Sequence, residues 1–398
     1  MVFEKGREKL GGKNLVVLDI GSQFLKAMLL EVDRQSGKGI LRNWVKEKLD
    51  NGLWEQIYPA CRKAINQVEK KAGIKAEEFF LGLSGDIVKG LSATFCYERE
   101  NPKEKIDLPE LKYFIQKVQW KVFDKIRKNF ALETGLPETE AKLVNAHIID
   151  IKIDNSPIAN PLGFQGENLC LTIFNTYTSR ESLEALVKLA SQLGLELAGI
   201  APLSYALFHC FDLDASSKDD ILIIDIGGKI TELTLIKSRG EIVETKSFNL
   251  GGDIFTKAIA DFLEIGMSEA EAVKIKYCKK ELSPEARRKL GKILEPNISS
   301  WVNGVKVVLE EFSKKYRALP SKVFLCGGGS EFPGLKENLK EKRKFQIKSI
   351  PSREVTKIEN RTKLQDISCL ALANLSLESP EANEFSSILK RAIRLIQG

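Results

Sequence analysis

The sequence predicts a two-lobed α/β fold, and two observations carry that expectation. The first is Ile221–Lys237, ILIIDIGGKITELTLIK, where an apolar run ends at Asp225, Gly227 and Gly228 allow a tight reversal, and a second strand follows. The second is a partial copy of it about two hundred residues earlier, Leu15–Leu30, LVVLDIGSQFLKAMLL, with Asp19 and Gly21 in the same places. A buried strand that ends in a carboxylate and enters a glycine turn cradles phosphate with backbone N–H groups, and its aspartate holds Mg²⁺ through water. One such turn reads equally well as a β-hairpin whose aspartate caps the turn. Two of them suggest an internal duplication with a nucleotide between two lobes.

At 398 residues the chain is long enough for two cores and a third piece. It is 43% hydrophobic and 29% charged, with no run of eighteen apolar residues, which suits a globular chain without a spanning helix. The polar start, MVFEKGREKLGGKNL, lacks a signal-peptide core, so a cytoplasmic location is expected. The seven cysteines include no C-x-x-C pair and mostly lie in apolar stretches, so reduced, buried thiols are expected. The two histidines, His147 and His209, are far apart, which argues against zinc and against a histidine triad. The net charge of +7 is mild and no nucleic-acid module is recognisable, so no nucleic-acid partner is expected.

In chain order, residues 1–13 read as a flexible leader and 14–89 as the first lobe. Strands are expected at Leu15–Asp19, Phe24–Val32, Ile40–Lys48 and Phe79–Ser84, and a helix over Leu53–Ala72 that Pro59 kinks or starts. Pro109–Asn129 and Arg180–Leu193 read as helices, and Lys142–Ile153 and Glu167–Phe174 as strands, with the turn NPLGFQG between those strands. Asp253–Leu263 is a helix led by the glycines of NLGGDIFT. In the next helix Glu271 and Lys274 share a face at i, i+3, which on spacing alone is a surface ion pair. Val323–Leu335, VFLCGGGSEFPGL, joins a short strand, three glycines and a Pro-Gly helix start.

These motifs resemble the actin-like ATPase superfamily, with its duplicated ribonuclease-H-like lobes. NLGGDIFT, SEAEAVKIKY and IANPLGFQGENL are similar, in that order, to segments of the cell-division family FtsA. The resemblance implies a small inserted α+β subdomain over 90–187, a second lobe over 188–375 whose last helix returns to the first, and filament contacts through the insertion. It implies ATP and Mg²⁺ as ligands. Phosphate would be held by Gly21, Ser22, Lys26, Gly227, Gly228, Lys229, Thr231, Gly251, Gly252 and Asp253. Adenosine would lie against Glu271, Lys274, Gly327, Gly328 and Gly329, with Asp19 and Asp225 serving the metal. The family pattern D-I-G-G-G-T-T-D is altered here: Lys229, Ile230 and Glu232 replace a glycine, a threonine and an aspartate. No water-orienting residue is identifiable, so no catalytic residue is assigned and little hydrolysis is expected.

The tail is expected to hold a linker over 376–384 and an amphipathic helix over 385–398. Phe385, Ile388, Leu389, Ile393 and Ile396 share one face, opposite Lys390, Arg391 and Arg394, the pattern of a helix lying on an anionic membrane. With the FtsA resemblance this implies a filament-forming protein that tethers FtsZ to the cytoplasmic face of the cell membrane at the division site. The alternative is a PilM-type component of a pilus platform. A sugar kinase of the same superfamily fits less well, because the insertion is small and carries no base signature.

Overall fold

A computed structural model describes residues 13–33, 36–49, 54–85, 87–209, 220–237, 241–342, 345–349, 358–359 and 366–377. The expected linker from 378 on, the tail helix and nearly all of the leader lie outside these residues. The described residues fall into two compact units: 13–20, 24–209 and 358–377 in the first, and 21–23 with 220–349 in the second.

The first unit starts with β1 (Asn14–Ile20), β2 (Phe24–Asp33), β3 (Lys38–Lys48), α1 (Trp54–Ala72) and β4 (Glu78–Leu83). β1 is antiparallel to β2 and parallel to β4. Leu15–Leu18 are fully buried, which is why β1 reads as a continuous apolar run rather than an alternating one. α1 runs unbroken through Pro59, so the proline neither starts nor ends it.

A second sheet follows, from β5 (Lys89–Glu98), α2 (Leu108–Thr134), β6 (Ala141–Ile153), β7 (Ser156–Pro157) and β8 (Asn168–Ser179), in the order β5-β8-β6-β7. α2 is capped by Asp107, which accepts from the Glu110 N–H, and ends at Gly135 in the left-handed region. Leu111, Ile115, Val118, Val122 and Ile126 line its buried face. Arg99 is buried and clamps the surrounding loops. It donates to both oxygens of Glu110 at 2.7 and 2.8 Å and to the carbonyl of Gly166 at 2.9 Å. The NPLGFQG turn is thereby tied to the start of α2.

The expectation of uniformly reduced thiols is corrected here. β5 and β8 pair antiparallel with Cys96 opposite Cys170, and the two are joined as a disulfide with Cα atoms 4.0 Å apart. Strand register brings together cysteines that spacing along the chain gave no reason to pair.

α3 (Arg180–Leu193), β9 (Glu196–Pro202) and α4 (Leu203–His209) complete this stretch. β9 pairs parallel with β4, and Leu186, Leu189 and Leu193 of α3 lie in the core of the first sheet. The expected boundary at residue 188 is therefore displaced: this stretch belongs to the first unit, because β9 extends that unit's own sheet.

The second unit repeats the plan. β10 (Ile221–Ile226), β11 (Thr231–Lys237) and β12 (Glu241–Phe248) precede α5 (Asp253–Leu263), α6 (Met267–Cys278) and α7 (Pro284–Lys315). β13 (Lys322–Cys326), α8 (Leu335–Lys342) and β14 (Gln346–Ser349) follow, and the sheet order is β12-β11-β10-β13-β14. Its core is built on Trp301, Phe255, Phe312 and Leu294, all fully buried. The chain then returns to the first unit. β15 (Ile358–Glu359) pairs with β3, and α9 (Ile367–Ser376) packs against β4. A Cβ at Gly82 would sit 2.0 Å from Leu372, so glycine is what lets that helix approach.

Candidate functional site

The two hairpins share one register within their own sheets. Asp19 stands opposite Lys26 in β1–β2, and Asp225 opposite Glu232 in β10–β11. Each carboxylate strand also has a parallel neighbour, β4 or β13. Their surroundings differ.

In the first unit Asp19 is buried, and Lys26 reaches it at 2.9 Å and Asp366 at 2.8 Å. Cys369 lies 3.7 Å from the same Asp19 oxygen. Burial pushes the Lys26 ammonium down, but the carboxylates of Asp19 and Asp366 outweigh it and hold the lysine well above its ordinary value. Burial likewise drives the Cys369 thiol well up, so it is a poor nucleophile and a poor thiolate ligand. Asp19, Asp366 and Cys369 have the spacing of a metal site. An ammonium already supplies the positive charge among them, so this set does not fit a magnesium ion as it stands. Asp19 and Lys26, expected to serve metal and phosphate separately, are committed to each other.

The second unit holds a more extended polar site. The turn after Asp225 closes with Gly227 N–H donating to the carbonyl of Ile230 at 2.9 Å. The loop before α5 docks on it: the Gly252 and Asp253 N–H groups donate to the carbonyls of Gly227 and Gly228, both at 2.9 Å. A Cβ at Gly251 would stand 2.4 Å from the Gly228 carbonyl oxygen, so glycine is required there. Lys229 is exposed at the tip, and its N–H donates to the Ser22 hydroxyl at 3.1 Å. Gly21, Ser22 and Gln23 group with this unit. The Gln23 amide donates to Asp253, which burial pushes above the usual carboxylate range.

Glu271 and Lys274 are paired at 2.7 Å and are only partly exposed. Thr256 joins them: its hydroxyl donates to Glu271 at 2.6 Å, and Lys274 donates to it at 2.8 Å and to the Gly252 carbonyl at 3.2 Å. The pair is a brace between α5, α6 and the GGD loop, more than the surface pair that spacing alone describes. Thr256 was not among the expected site residues, although it is the last residue of NLGGDIFT. Gln23, Asp366 and Cys369 were also missed, and no local pattern marks them.

The three glycines after β13 divide by role. Gly327 has φ +80°, and a Cβ there would stand 2.1 Å from Asp225 Oδ1. At Gly329 a Cβ would meet Ile226 at 2.4 Å. Gly328 has nothing within 4 Å, so its backbone is open to a ligand. Thr231 is a correction. It is fully buried, accepts from the Trp301 indole at 2.9 Å and donates to the Leu250 carbonyl at 2.6 Å. With its one proton spent, it is a packing residue rather than a phosphate ligand. The membrane-facing residues expected in the tail lie outside the described residues.

Comparison with known proteins agrees with this fold. The family model described as type IV pilus assembly protein PilM matches residues 178–375. Cell division protein FtsA of Helicobacter pylori is 25% identical over 290 residues, covering 67% of this chain and 56% of that protein. FtsA of Enterococcus faecalis is 23% identical over 346 residues, covering 80% of this chain and 74% of its own length. The chain thus spans little more than half of the Helicobacter relative. Among solved structures, a PilM–PilN type IV pilus biogenesis complex aligns over 92% of this chain and 99% of the matched chain, with TM-score 0.65 and 18% identity. A nucleotide-free diol dehydratase-reactivating factor aligns over 92% of this chain with TM-score 0.50. The chain therefore has the actin-like ATPase fold, and its sequence is similar to FtsA over most of its length and to PilM over its second half.

Proposed function

We propose that this chain is an ATP-binding, actin-like cell-division protein that forms filaments at the cytoplasmic face of the membrane and tethers FtsZ at the division site. The observation that carries the reading is the similarity to FtsA from several bacteria over 67–81% of the chain. In the second unit the residues fit a nucleotide. In this reading Glu271 and Lys274 take the ribose and base, the open backbone of Gly328 takes the adenosine, and Gly227, Gly228 and Lys229 take phosphate. Asp225, at the strand end, is the carboxylate for a magnesium ion arriving with the nucleotide. When bound, that ion would neutralise phosphate charge. Without an identified water-orienting residue, ATP acts as a ligand that stabilises one conformation, with slow turnover.

The test is co-sedimentation of the full chain with FtsZ polymers, with and without ATP. The reading expects ATP-dependent pelleting. The PilM family match over 178–375 and the pilus-complex fold likeness favour a second reading, a pilus-platform component that binds the cytoplasmic segment of an inner-membrane partner. Capture of such a segment, with no retention by FtsZ, would replace the first reading with the second.

A further inference from the structure

The outer face of α2 has no part in the site above. Opposite its buried stripe, Tyr113, Lys117, Trp120, Lys121 and Lys128 fall within roughly 100° of arc at helical spacing. Tyr113 is 57% and Trp120 52% exposed, two turns apart on one face. The helix's carboxylates are already matched: Glu110 by Arg99, Asp124 by Arg127 and Lys128, and Glu133 by Lys89. Lys112, Lys117, Lys121 and Lys125 are exposed, and no carboxylate among the described residues lies within ion-pair distance of them. Lys117 lies over the rings of Tyr97 and Tyr113 at 5.4 and 5.7 Å, and Lys121 over Phe95 at 5.7 Å. The result is a basic face with aromatic rings among the cations, in which Lys117 and Lys121 have no carboxylate partner among the described residues while Lys128 is matched by Asp124.

We propose that this face docks on an anionic phospholipid surface. Its charge is complementary to such a surface and is spread over four lysines between residues 112 and 125 instead of converging on a point. Lysines are compact charges that suit a diffuse field of headgroups, whereas paired recognition of one carboxylate favours the arginine fork. Tyrosine and tryptophan are the side chains that settle at the water–lipid boundary, with an apolar ring and a polar edge. The surface is separate from the tail and does not rest on the tethering role.

The test uses full-length protein in an Ile393→Glu, Ile396→Glu background, which silences the tail. Vesicles of phosphatidylcholine, alone or mixed with phosphatidylglycerol, carry brominated acyl chains that quench nearby tryptophan. Quenching is expected only with phosphatidylglycerol, and it should be lost in Trp120→Phe. Lys117→Glu with Lys121→Glu should weaken vesicle binding about tenfold or more, while Lys117→Arg with Lys121→Arg binds as the parent; circular dichroism confirms that all variants are folded. Equal quenching in Trp120→Phe, or unchanged binding in the charge-reversal pair, overturns the proposal. So does retention on a polyglutamate matrix without vesicle binding, which would assign the face to an acidic protein.

Discussion

The Lys26 ammonium lies 2.9 Å from the carboxylate of Asp19, on the strand directly opposite it, and both side chains are largely buried. Removing the lysine leaves a buried charge, so Lys26→Met should cost about 3 kcal/mol of stability, the scale for breaking a buried ion pair. Adding Asp19→Asn should recover much of that loss. The sign with pH follows from the raised lysine. A base whose folded pKa is raised contributes fully below its unfolded value and loses the contribution only as pH rises through the raised one. The parent–variant difference should therefore stay flat between about pH 6 and 9. Denaturant titrations across that range check it.

Gly327 and Gly328 are neighbours with opposite expectations. Gly327→Ala forces a left-handed backbone on alanine and drives Cβ into Asp225 and the Ile226 carbonyl. A loss of about 2 kcal/mol or more is expected. A Cβ at Gly328 meets nothing within 4 Å, so Gly328→Val should change stability by less than about 0.5 kcal/mol. If the nucleotide rests on this backbone, ATP affinity should nonetheless fall about tenfold, a loss of about 1.4 kcal/mol measurable by calorimetry. Unchanged affinity in a stable Gly328→Val protein would move the ligand elsewhere.

Asp225→Ala tests the metal side of the site. Mg²⁺-dependent ATP binding should be abolished, while Asp19→Ala, already committed to Lys26, should chiefly lower stability. Phosphate release by the parent should stay below about 1 s⁻¹ at saturating ATP, under the usual enzyme range.

The cysteines should separate by chemistry in a peptide map. Cys61, with its thiol pushed to about 12 by burial, and Cys369, which burial also drives well up, should resist alkylation in the native protein at mildly basic pH. Cys96 and Cys170 should appear as one linked peptide until a reductant is added. Alkylation of both without reductant would show the pair open.

The tail gives the last prediction. Ile393→Glu with Ile396→Glu should weaken binding to anionic liposomes, leaving only the contribution of the α2 face, and leave ATP binding intact, because the apolar stripe of the tail would be lost. Sedimentation equal to the parent would show that the tail is not an anchor.

The sequence by itself determined the hairpins around Asp19 and Asp225, the GGD loop and the Glu271–Lys274 helix. Their signals are local: apolar runs, glycine turns and an i, i+3 spacing act between residues close in the chain. Only the tertiary structure decided what those residues touch. Asp366 and Cys369, more than three hundred residues from Asp19, reach it because α9 returns to the first sheet. Thr231 looks like a phosphate ligand in its motif, yet Trp301 of α7 donates to its hydroxyl, whose own proton goes to the Leu250 carbonyl. Cys96 and Cys170 meet through the pairing of β5 with β8, and β9 joins β4 across the intervening subdomain. Sheet register and helix docking are fixed by burial over the whole unit, so no short window of sequence encodes them.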